Sequence, residues 1–407
     1  MALEEVYIGI DLEESRMQVS YFTIDMDAPQ TVSLVAGEEL YRIPLVLRRS
    51  QESGSWYLGD GKMQEGELYV DRLWERCLKG ERLGTGREYG AVELFSILLR
   101  KVLRMVPGLT ELACIRSLTF HLQKIEFSSV QLLKWVGEGL GILPERIFIQ
   151  DDAESFCHFA MNQEKELKQH DVVLFSCEEN ELSCYYLKEG EKTSPKRVDI
   201  EKIDLGILPG EPQARDMAFG KLAGDFFRGK LVSSVYLMGD GLEGGWLKES
   251  LHIICRGRRA FQGKNLFANG ACYGSFMQMH KEECGYVFFS DYKLANNVFL
   301  KVKNKDRSFF WDLAEAGTSC YEVNGSCQVL LSGDASVDVW LKAPDSGQAR
   351  IESLQLPDLP ERPDKATRLL IEVLPSEKRQ LRIRVTDKGL GGWYASSGKV
   401  WEYCINE

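Results

Sequence analysis

The sequence predicts an α/β region in which the element order βββ-α-β-α occurs twice, followed by an all-β region. The first observation is that apolar, β-branched runs alternate with helical patterns up to about residue 280. The second is that only short strands, separated by turn residues, follow that point. No repeat of fixed period accompanies the recurring order, so the predicted duplication is one of elements and not of sequence.

The first half of the α/β region opens with a hairpin, because the apolar run Val6–Ile10 is followed by a turn and by the alternating stretch Met17–Phe22. A third extended stretch is predicted at Thr31–Val35. The remaining predicted elements are a helix at 91–106, a strand at 115–122, a helix with Ser128 as its N-cap and Leu140 near its end, a strand at 147–149 and a helix at 152–167.

The second half repeats this order. A hairpin is predicted from Val172–Ser176 and Leu182–Leu187, with a third strand at Arg197–Ile203. Pro212 is predicted to open a helix, since proline is tolerated in the first turn. A strand at 232–238 and helices at 246–254 and 269–279 complete the order.

The all-β region contains eight predicted short strands with turn signals such as Asn324-Gly325 between them, which is typical of a β-sandwich. The prolines of Pro357–Pro363 exclude a central strand at that point. The predicted domains are therefore 1–280, with lobes at about 1–168 and 169–280, and 281–407. The aromatic group Phe309-Phe310-Trp311 is predicted to pack at least one face into the core, and the alternative is a peptide groove.

Composition limits the function classes. The chain has 407 residues and a net charge of −11, which disfavours nucleic acids and anionic membranes as partners. The start of the chain has no pattern of a signal peptide, and no apolar run is long enough to span a membrane, so a cytoplasmic protein is expected. The 11 cysteines lack metal or disulfide spacing, and the five histidines are interpreted as ordinary structural residues.

Six stretches carry a resemblance to one known family. They are Ile8–Leu12, Gln150–Ser155, Val235–Gly241, Asn269–Gly274, Leu359–Pro363 and Leu381–Gly391. In these stretches, and in element order, the chain resembles the DnaK-type heat-shock chaperones. The resemblance implies a duplicated ribonuclease-H-like (actin-like ATPase) domain followed by a β-sandwich resembling a peptide-binding domain. The second lobe is short, which implies that the family's adenine clamp is missing.

The sequence departs from this family where the family binds phosphate. Phosphate loops use glycine so that backbone N–H groups can approach an anion. The first loop here has Glu13 and Glu14 where the resemblance implies Gly and Thr. The second loop, Ser176–Ser183, has no glycine, and serines replace both acidic positions that the resemblance assigns to Mg²⁺. A looser alignment places Asp71 at the family's catalytic lysine.

The residues that would line a residual nucleotide cleft, if any, are Asp11, Glu13, Glu14, Asp151, Glu178, Glu179, Gly239, Asp240 and Gly241. No catalytic residue, metal site or cofactor is expected, and any binding of ATP or ADP is expected to be weak. Asp11, Asp151 and Asp152 are expected to face one another. Such carboxylates can serve acid–base chemistry or bind a metal, but remnants of a cation site or helix caps are the favoured interpretation.

The sequence therefore predicts a catalytically inactive, chaperone-like protein that acts as a protein- or peptide-binding module or scaffold. One alternative is an active ATPase with an altered phosphate site. A second alternative is an actin-like assembly protein. Neither the identity of the partner nor the oligomeric state follows from the sequence.

Overall fold

The computed structural model describes residues 4–35, 37–50, 52–59, 68–83, 88–188, 196–305, 307–344 and 346–406. The chain divides into two compact units. Unit 1 comprises Met1–Glu191 and Val198–Gly285, and unit 2 comprises Lys192–Arg197 and Tyr286–Glu407. The α/β content predicted from the sequence is confirmed, and no sheet of the described residues closes into a barrel. Within those residues no helix combines the length and apolar character needed to cross a membrane.

The first part of unit 1 is built on a six-stranded sheet. Its elements and their neighbours are β1 (Val6–Leu12), β2 (Arg16–Phe22), β3 (Gln30–Thr31), β4 (Ile43–Pro44), β5 (Leu47–Arg49), β6 (Trp56–Leu58), β7 (Leu68–Val70), α1 (Leu73–Leu78), β8 (Arg82–Leu83), β9 (Tyr89–Gly90), α2 (Ala91–Leu103), β10 (Ile115–His121), α3 (Phe127–Gly139), β11 (Ile147–Gln150) and α4 (Asp152–Met161). The strand order is β11-β10-β1-β2-β3, and β4 also pairs with β2. All seven residues of β1 are buried, as expected for a central strand covered on both faces.

The second part of unit 1 is built on a five-stranded sheet in the order β15-β13-β12-β16-β17. Its elements are β12 (Asp171–Glu178), β13 (Glu181–Leu187), β15 (Ile200–Ile207), α5 (Pro212–Phe227), β16 (Val232–Met238), α6 (Glu249–Ile254), β17 (Arg259–Gln262) and α7 (Leu266–Met279). The short strand β14 (Lys196–Val198) comes between β13 and β15 in the chain, but most of it belongs to unit 2. The core beneath it is aromatic. The ring of Phe175 lies 5.3 Å from that of Phe219, and the two are nearly perpendicular.

Unit 2 contains two four-stranded antiparallel sheets, in the orders β20-β19-β22-β23 and β21-β24-β25-β26. The strands are β18 (Tyr286–Phe288), which pairs with β14, and β19 (Asn297–Asn304), β20 (Arg307–Ala314), β21 (Ser326–Leu330), β22 (Ser336–Lys342), β23 (Arg350–Gln355), β24 (Arg368–Leu374), β25 (Gln380–Asp387) and β26 (Val400–Asn406). Burial alternates along β24 and β25, so each strand presents one buried face.

Several sequence-based boundaries differ from the structure. The third strand of the first sheet is only Gln30–Thr31, and α4 ends at Met161. Helix α3 begins at Phe127 with Glu126 as its N-cap, so the prediction that Ser128 caps it was wrong. Strand β26 was not predicted, although Val400–Cys404 contains the strand formers Val, Trp and Tyr, and the structure pairs it with β25.

Helix α7 lies so close to β1 and α4 that two glycines are required. A Cβ atom on Gly9 of β1 would lie 2.2 Å from the backbone nitrogen of Cys272. A Cβ atom on Gly270 would lie 1.9 Å from the carbonyl oxygen of Ser155 in α4. Both contacts involve backbone atoms, which cannot move aside as a flexible side chain can. The small residues of α7 thus serve helix packing.

We expect Gly270→Ala to destabilise the protein by about 1–3 kcal/mol, because the added methyl group overpacks the α4–α7 contact. The matched control is Gly224→Ala in α5, where the nearest atom is Ile253 Cγ2 at 3.6 Å, an ordinary contact. This control should be neutral or stabilising by up to about 1 kcal/mol, since alanine favours helix. Urea unfolding of both variants measures the difference, and equal stability of the two would contradict the close-packing argument.

A buried ion pair fixes the end of β25 in unit 2. Asp387 is fully buried and accepts two hydrogen bonds from Arg362, at 2.9 and 2.8 Å. Its carboxylate also accepts from the backbone nitrogens of Gly389 and Ser397. Burial alone would raise the pKa of Asp387, but these donors outweigh burial and hold the pKa well below its usual range. The pair joins the stretches Leu359–Pro363 and Leu381–Gly391.

We expect Asp387→Asn to cost about 3–5 kcal/mol, since it leaves the Arg362 guanidinium buried without its counter-charge. The pKa of Asp387 is lower when folded than the ~3.9 of an unfolded aspartate, so the stabilisation is complete above that pH and is lost as the pH falls below it. Glu402→Gln is the control, because Glu402 forms an exposed pair with Arg382 and should matter little. Unfolding measured from pH 7 to pH 3 should show the difference between the wild type and Asp387→Asn begin to narrow below about pH 4, while the control stays close to the wild type throughout.

Candidate functional site

Three buried side chains meet at the ends of β1 and β10 and the start of α4. Asp11 and His121 are paired across the parallel strands β1 and β10. His121 Nδ1 lies 2.7 Å from Asp11 Oδ1, and His121 Nε2 lies 2.9 Å from Asp152 Oδ1. We call these residues the Asp–His–Asp cluster. With an acceptor at each ring nitrogen, the imidazole is placed to donate from both and to carry a positive charge.

The cluster is enclosed by residues from other elements. The ring of Phe267 in α7 stacks on His121 with centroids 4.4 Å apart. The hydroxyl of Tyr185 in β13 donates to Asp152 Oδ2, and Lys202 Nζ of β15 lies 3.5 Å from the same oxygen. Asp152 therefore connects the first sheet of unit 1 to the second sheet.

Electrostatics favour a charged His121. Burial alone would lower the pKa of His121, but the charges and hydrogen bonds of Asp11 and Asp152 outweigh it and raise the pKa to about 10. Burial would raise the pKa of Asp152, yet His121, Tyr185 and Lys202 together lower it. Burial, followed by the Asp152 charge, raises the pKa of Tyr185, so its hydroxyl remains a donor.

A second group of charges lies between the β1–β2 turn and the loop after β16. Arg16 Nε lies 2.5 Å from Glu13 Oε2, and Arg16 Nη2 lies 3.3 Å from Asp240 Oδ2. Arg42 forms a close ion pair with Asp240 and lies 3.5 Å from Glu243 Oε1. We call these five residues the Arg16 cluster. It links the first and second sheets of unit 1 with guanidinium–carboxylate pairs.

The pKa values near the Arg16 cluster reflect crowded carboxylates. Loss of water around the carboxyl group, followed by the Asp11 charge, raises the pKa of Glu13. Loss of water and the charges of Glu13 and Asp240 raise the pKa of Glu178 to about 7. Burial would raise the pKa of Asp240, but Arg42 and Arg16 lower it. The arginines are thus committed chiefly to Asp240 and Glu13.

An arginine also fills the space between the β12–β13 turn and the glycine loop after β16. The Nη2 group of Arg215 donates to the carbonyl oxygens of Gly241 at 2.9 Å and Glu179 at 3.1 Å. Gly239 has φ +96°, and a Cβ atom there would lie 2.3 Å from the carbonyl oxygen of Cys177. Gly239 and Gly241 therefore allow the loop to pack on β12, which is a structural role.

The structure brings together only some of the predicted cleft residues. Asp11 belongs to the Asp–His–Asp cluster, Glu13 and Asp240 belong to the Arg16 cluster, and Glu178 lies within their electrostatic influence. Glu14 and Glu179 are exposed, and Glu179 adopts φ +54° in the β12–β13 turn.

The expectation that Asp11, Asp151 and Asp152 face one another was wrong in two respects. His121 stands between Asp11 and Asp152. Asp151 caps α4 by accepting from the backbone nitrogen of Glu154 at 2.8 Å, so the favoured interpretation of this residue as a helix cap is confirmed. Asp71 pairs instead with Arg76, at 3.2 Å, at the start of α1.

The sequence-based interpretation missed His121, Arg16, Arg42 and Arg215. The interpretation of His121 as an ordinary structural residue overlooked one signal. His121 is a polar residue near the end of an apolar strand, and that strand pairs with the one that carries Asp11. The three arginines carried no comparable signal. Across the described ranges, no group of three or more His, Cys, Asp and Glu side chains is arranged to hold a metal ion.

Comparison with family models identifies the larger part of the chain. A family of unknown function, the DUF5716 C-terminal family, matches residues 28–291. The chain belongs to the DUF5716 family. A second model, a domain of unknown function named DUF8552, matches residues 293–406. No curated protein matches the chain. In this DUF5716 family member, His121 and Asp152 of the Asp–His–Asp cluster lie within the matched range. Arg42, Asp240 and Glu243 of the Arg16 cluster lie within it as well.

We expect His121→Gln to destabilise the protein by about 3–5 kcal/mol at pH 7, because it leaves two buried carboxylates without the charge between them. The pKa of His121 is about 10 when folded against ~6.5 when unfolded. Its stabilisation is therefore complete below about pH 6.5 and is lost as the pH rises towards 10.

Urea unfolding of wild type and His121→Gln from pH 6 to pH 10 measures this effect. The difference in unfolding free energy should shrink as the pH rises. His252→Gln is the control, because His252 is exposed in α6 and its replacement should have little effect at any pH. A pH-independent difference for His121→Gln would contradict the charged histidine.

Proposed function

We propose that unit 1 is a duplicated ribonuclease-H-like domain of the actin-like ATPase type. The support is that both sheets share one connectivity. In the first sheet, β1 pairs antiparallel with β2 and parallel with β10, which continues parallel to β11. In the second sheet, β12 pairs antiparallel with β13 and parallel with β16, which continues parallel to β17. Helices occupy equivalent places in the chain order.

Unit 2 is, in the same proposal, a β-sandwich of the chaperone peptide-binding type. The support is the pair of four-stranded antiparallel sheets and the alternating burial of their strands. Side-chain hydrogen bonds also connect β26 with β23 and the residues that follow β23. Trp401 Nε1 donates to the carbonyl oxygen of Pro357 at 3.2 Å, and Arg350 Nη2 donates to that of Asn406 at 2.9 Å.

Mg²⁺-ATP, which this resemblance implies, fits the residues of unit 1 poorly. Two carboxylates within about 4 Å of a phosphate cost several kcal/mol even at an effective dielectric near 20. Loss of water, followed by the charges of Glu13 and Asp240, already raises the pKa of Glu178, so added negative charge is disfavoured there. Arg16 and Arg42 do not offset this, because Glu13 and Asp240 already bind them.

The observation that carries the proposal is the Asp–His–Asp cluster. Asp11 is the acidic residue that the resemblance places beside the cation and phosphates. Here the imidazolium of His121 neutralises it at 2.7 Å, inside a buried environment closed by Phe267. A protonated histidine that donates to both carboxylates supplies one positive charge against their two, and Lys202 lies 3.5 Å from Asp152, so the carboxylates are compensated in large part by protein groups.

The function that follows is that of a non-hydrolysing, chaperone-like protein that binds a protein or an extended peptide, or holds partners as a scaffold. Internal ion pairs substitute for the nucleotide in joining the two sheets of unit 1. Such a protein presents a constant surface rather than one that is switched by ATP.

Titration calorimetry with ADP and with ATP plus Mg²⁺ tests the nucleotide part of the proposal. We expect no binding heat, and phosphate release should stay at background. Turnover by the wild type that is lost in Asp11→Asn would overturn the proposal in favour of an active ATPase. A folding check by circular dichroism accompanies the variant, because Asp11 is buried.

A gain-of-binding variant tests the physical reason. In Glu13→Gln/Glu178→Gln/Asp240→Asn, three carboxylates are neutralised and Arg16 and Arg42 are released. We expect this variant to bind inorganic triphosphate, which the wild type does not bind. The matched control is Glu14→Gln/Glu179→Gln, which removes two exposed charges from the same turns without freeing an arginine. Equal triphosphate binding by both variants would show that bulk charge, and not the Arg16 cluster, is responsible.

The partner-binding part is tested with the full-length protein and a library of fluorescent extended peptides. We expect at least one sequence class to raise fluorescence anisotropy, with no change when ATP is added. Binding that ATP releases would contradict the proposed independence from nucleotide.

A further inference from the structure

Strand β20 is an unusually exposed sheet edge. It lies at the end of the order β20-β19-β22-β23, and in the described part of unit 2 no strand pairs with its outer side. Its first six residues, Arg307–Asp312, are all exposed. Three consecutive aromatic residues stand at the centre of this segment, with exposures of 42% for Phe309, 50% for Phe310 and 45% for Trp311. The prediction that this group packs into the core was wrong.

The aromatic residues project from both faces of the edge. Cross-strand partners share a face, and Phe309 and Trp311 are opposite Val302 and Leu300 of β19. Phe310 is on the other face, where its ring lies 5.3 Å from that of Trp340. A bulge in the β19–β20 pairing lies beyond Asp312, so Ser308–Asp312 remain regular.

Three other edge strands among the described residues, β15, β23 and β26, are protected. The edge strands β23 and β26 are joined by side chains, including the hydrogen bond from Tyr403 to the carbonyl oxygen of Gln355. Edge strand β15 of unit 1 carries the charges of Glu201, Lys202 and Asp204, a common device against strand pairing. Strand β20 has neither form of protection at its centre. Large exposed apolar edges of this kind mark interaction sites.

We propose that β20 pairs with β20 of a second copy of this chain, antiparallel and about a two-fold axis at Phe310. In this register Phe310 faces its own copy, and each Phe309 faces the Trp311 of the other chain. Each Ser308 then faces an Asp312, to whose carboxylate its hydroxyl can donate. All three aromatic residues acquire aromatic partners, the kind of cross-strand pair that stabilises sheets.

The charges of the strand favour the same arrangement. Arg307 stands at the start of β20 and Asp312 near its end. Antiparallel pairing brings the basic end of each strand beside the acidic end of the other, whereas parallel pairing would place like charges together. A partner related by a two-fold axis closes the assembly, so a dimer and not a filament results. This inference goes beyond the proposed function and does not depend on it.

Disulfide trapping tests the register. In an antiparallel pair, self-opposed residues have Cα atoms about 4.5–5.5 Å apart, within the range of a disulfide. In a Cys255→Ser/Cys404→Ser background, which removes the exposed thiols, Phe310→Cys should form a covalent dimer under mild oxidation. Ser308→Cys is the matched control, since in this register it faces Asp312 and not its own copy. Equal cross-linking at both positions, or none at position 310, would overturn the proposed register.

Sedimentation equilibrium of the full chain tests the dimer itself. The wild type should associate weakly and reversibly as its concentration rises, because paired strands bury a small interface. Phe310→Lys places two like charges on the axis and should raise the dimer dissociation constant about tenfold or more. Val400→Lys in β26 is the matched control, because it adds a lysine at an exposed position of another edge strand of unit 2.

A wild type that stays monomeric at all concentrations would overturn the dimer. If the wild type stays monomeric but binds a peptide, and Phe310→Lys abolishes that binding, β20 is assigned to peptide binding instead. Thermal unfolding of each variant establishes that the fold is intact, and Phe310→Ser gives a second, uncharged substitution if Phe310→Lys does not fold. Sedimentation and disulfide trapping do not depend on nucleotide binding, so failure of the dimer can be distinguished from failure of the proposed function.

Discussion

The Asp–His–Asp cluster is the interaction on which the arrangement of unit 1 depends. Two carboxylates in an apolar interior would repel one another and lose their hydration, at a cost that exceeds ordinary side-chain contacts. The imidazolium of His121 removes that cost by donating to Asp11 at 2.7 Å and to Asp152 at 2.9 Å. Since Asp152 also receives the hydroxyl of Tyr185, the same charge balance extends from the first sheet to the second.

The Arg16 cluster applies the same principle nearer the solvent. Arg16 binds Glu13, in the turn after β1, and Asp240, in the loop after β16. Arg42 binds Asp240 as well, so ion pairs join this turn and this loop of the two sheets. Exposed pairs of this kind contribute little singly, but several that share Asp240 form a network. Arg215 adds hydrogen bonds to two further carbonyl oxygens of the neighbouring turns. In the proposed function, these interactions take the place of ligand-mediated closure and are the physical basis of the constant surface.

The Asp387-Lys388-Gly389 turn of unit 2 has a structural role. It lies in the stretch Leu381–Gly391, one of those that resemble the chaperone family. Its aspartate is buried and binds Arg362, while Gly389 and Ser397 donate their backbone nitrogens to it. The motif therefore organises the chain between β25 and β26. The exposed aromatic residues of unit 2 lie instead on β20, in the group Phe309-Phe310-Trp311 that the sequence had predicted to pack into the core.

Hydrophobic periodicity was sufficient to predict most of the secondary structure. Strand β16 and the hairpins of β1–β2 and β12–β13 lie where their apolar runs predicted, because a buried strand must be apolar whatever its neighbours. The edge strands β17 and β26, whose residues are mostly exposed or half-buried, were missed. Such strands form because a neighbouring strand offers backbone partners, and their own sequences do not have to carry a buried apolar face.

The sequence by itself determined that Asp11 and Glu13 lie close together, since Asp11 follows the apolar run Val6–Ile10 and Glu13 comes next in the turn. Only the tertiary structure decided what those carboxylates bind. His121 is 110 residues from Asp11, and Arg16 is 224 residues from Asp240. Local patterns carry no information about such separations, whereas the charge state of a buried group depends on every neighbour within a few ångströms. Phe310 illustrates the same distinction. Its apolar character is visible in the sequence, but its exposure follows from the position of β20 at the edge of its sheet.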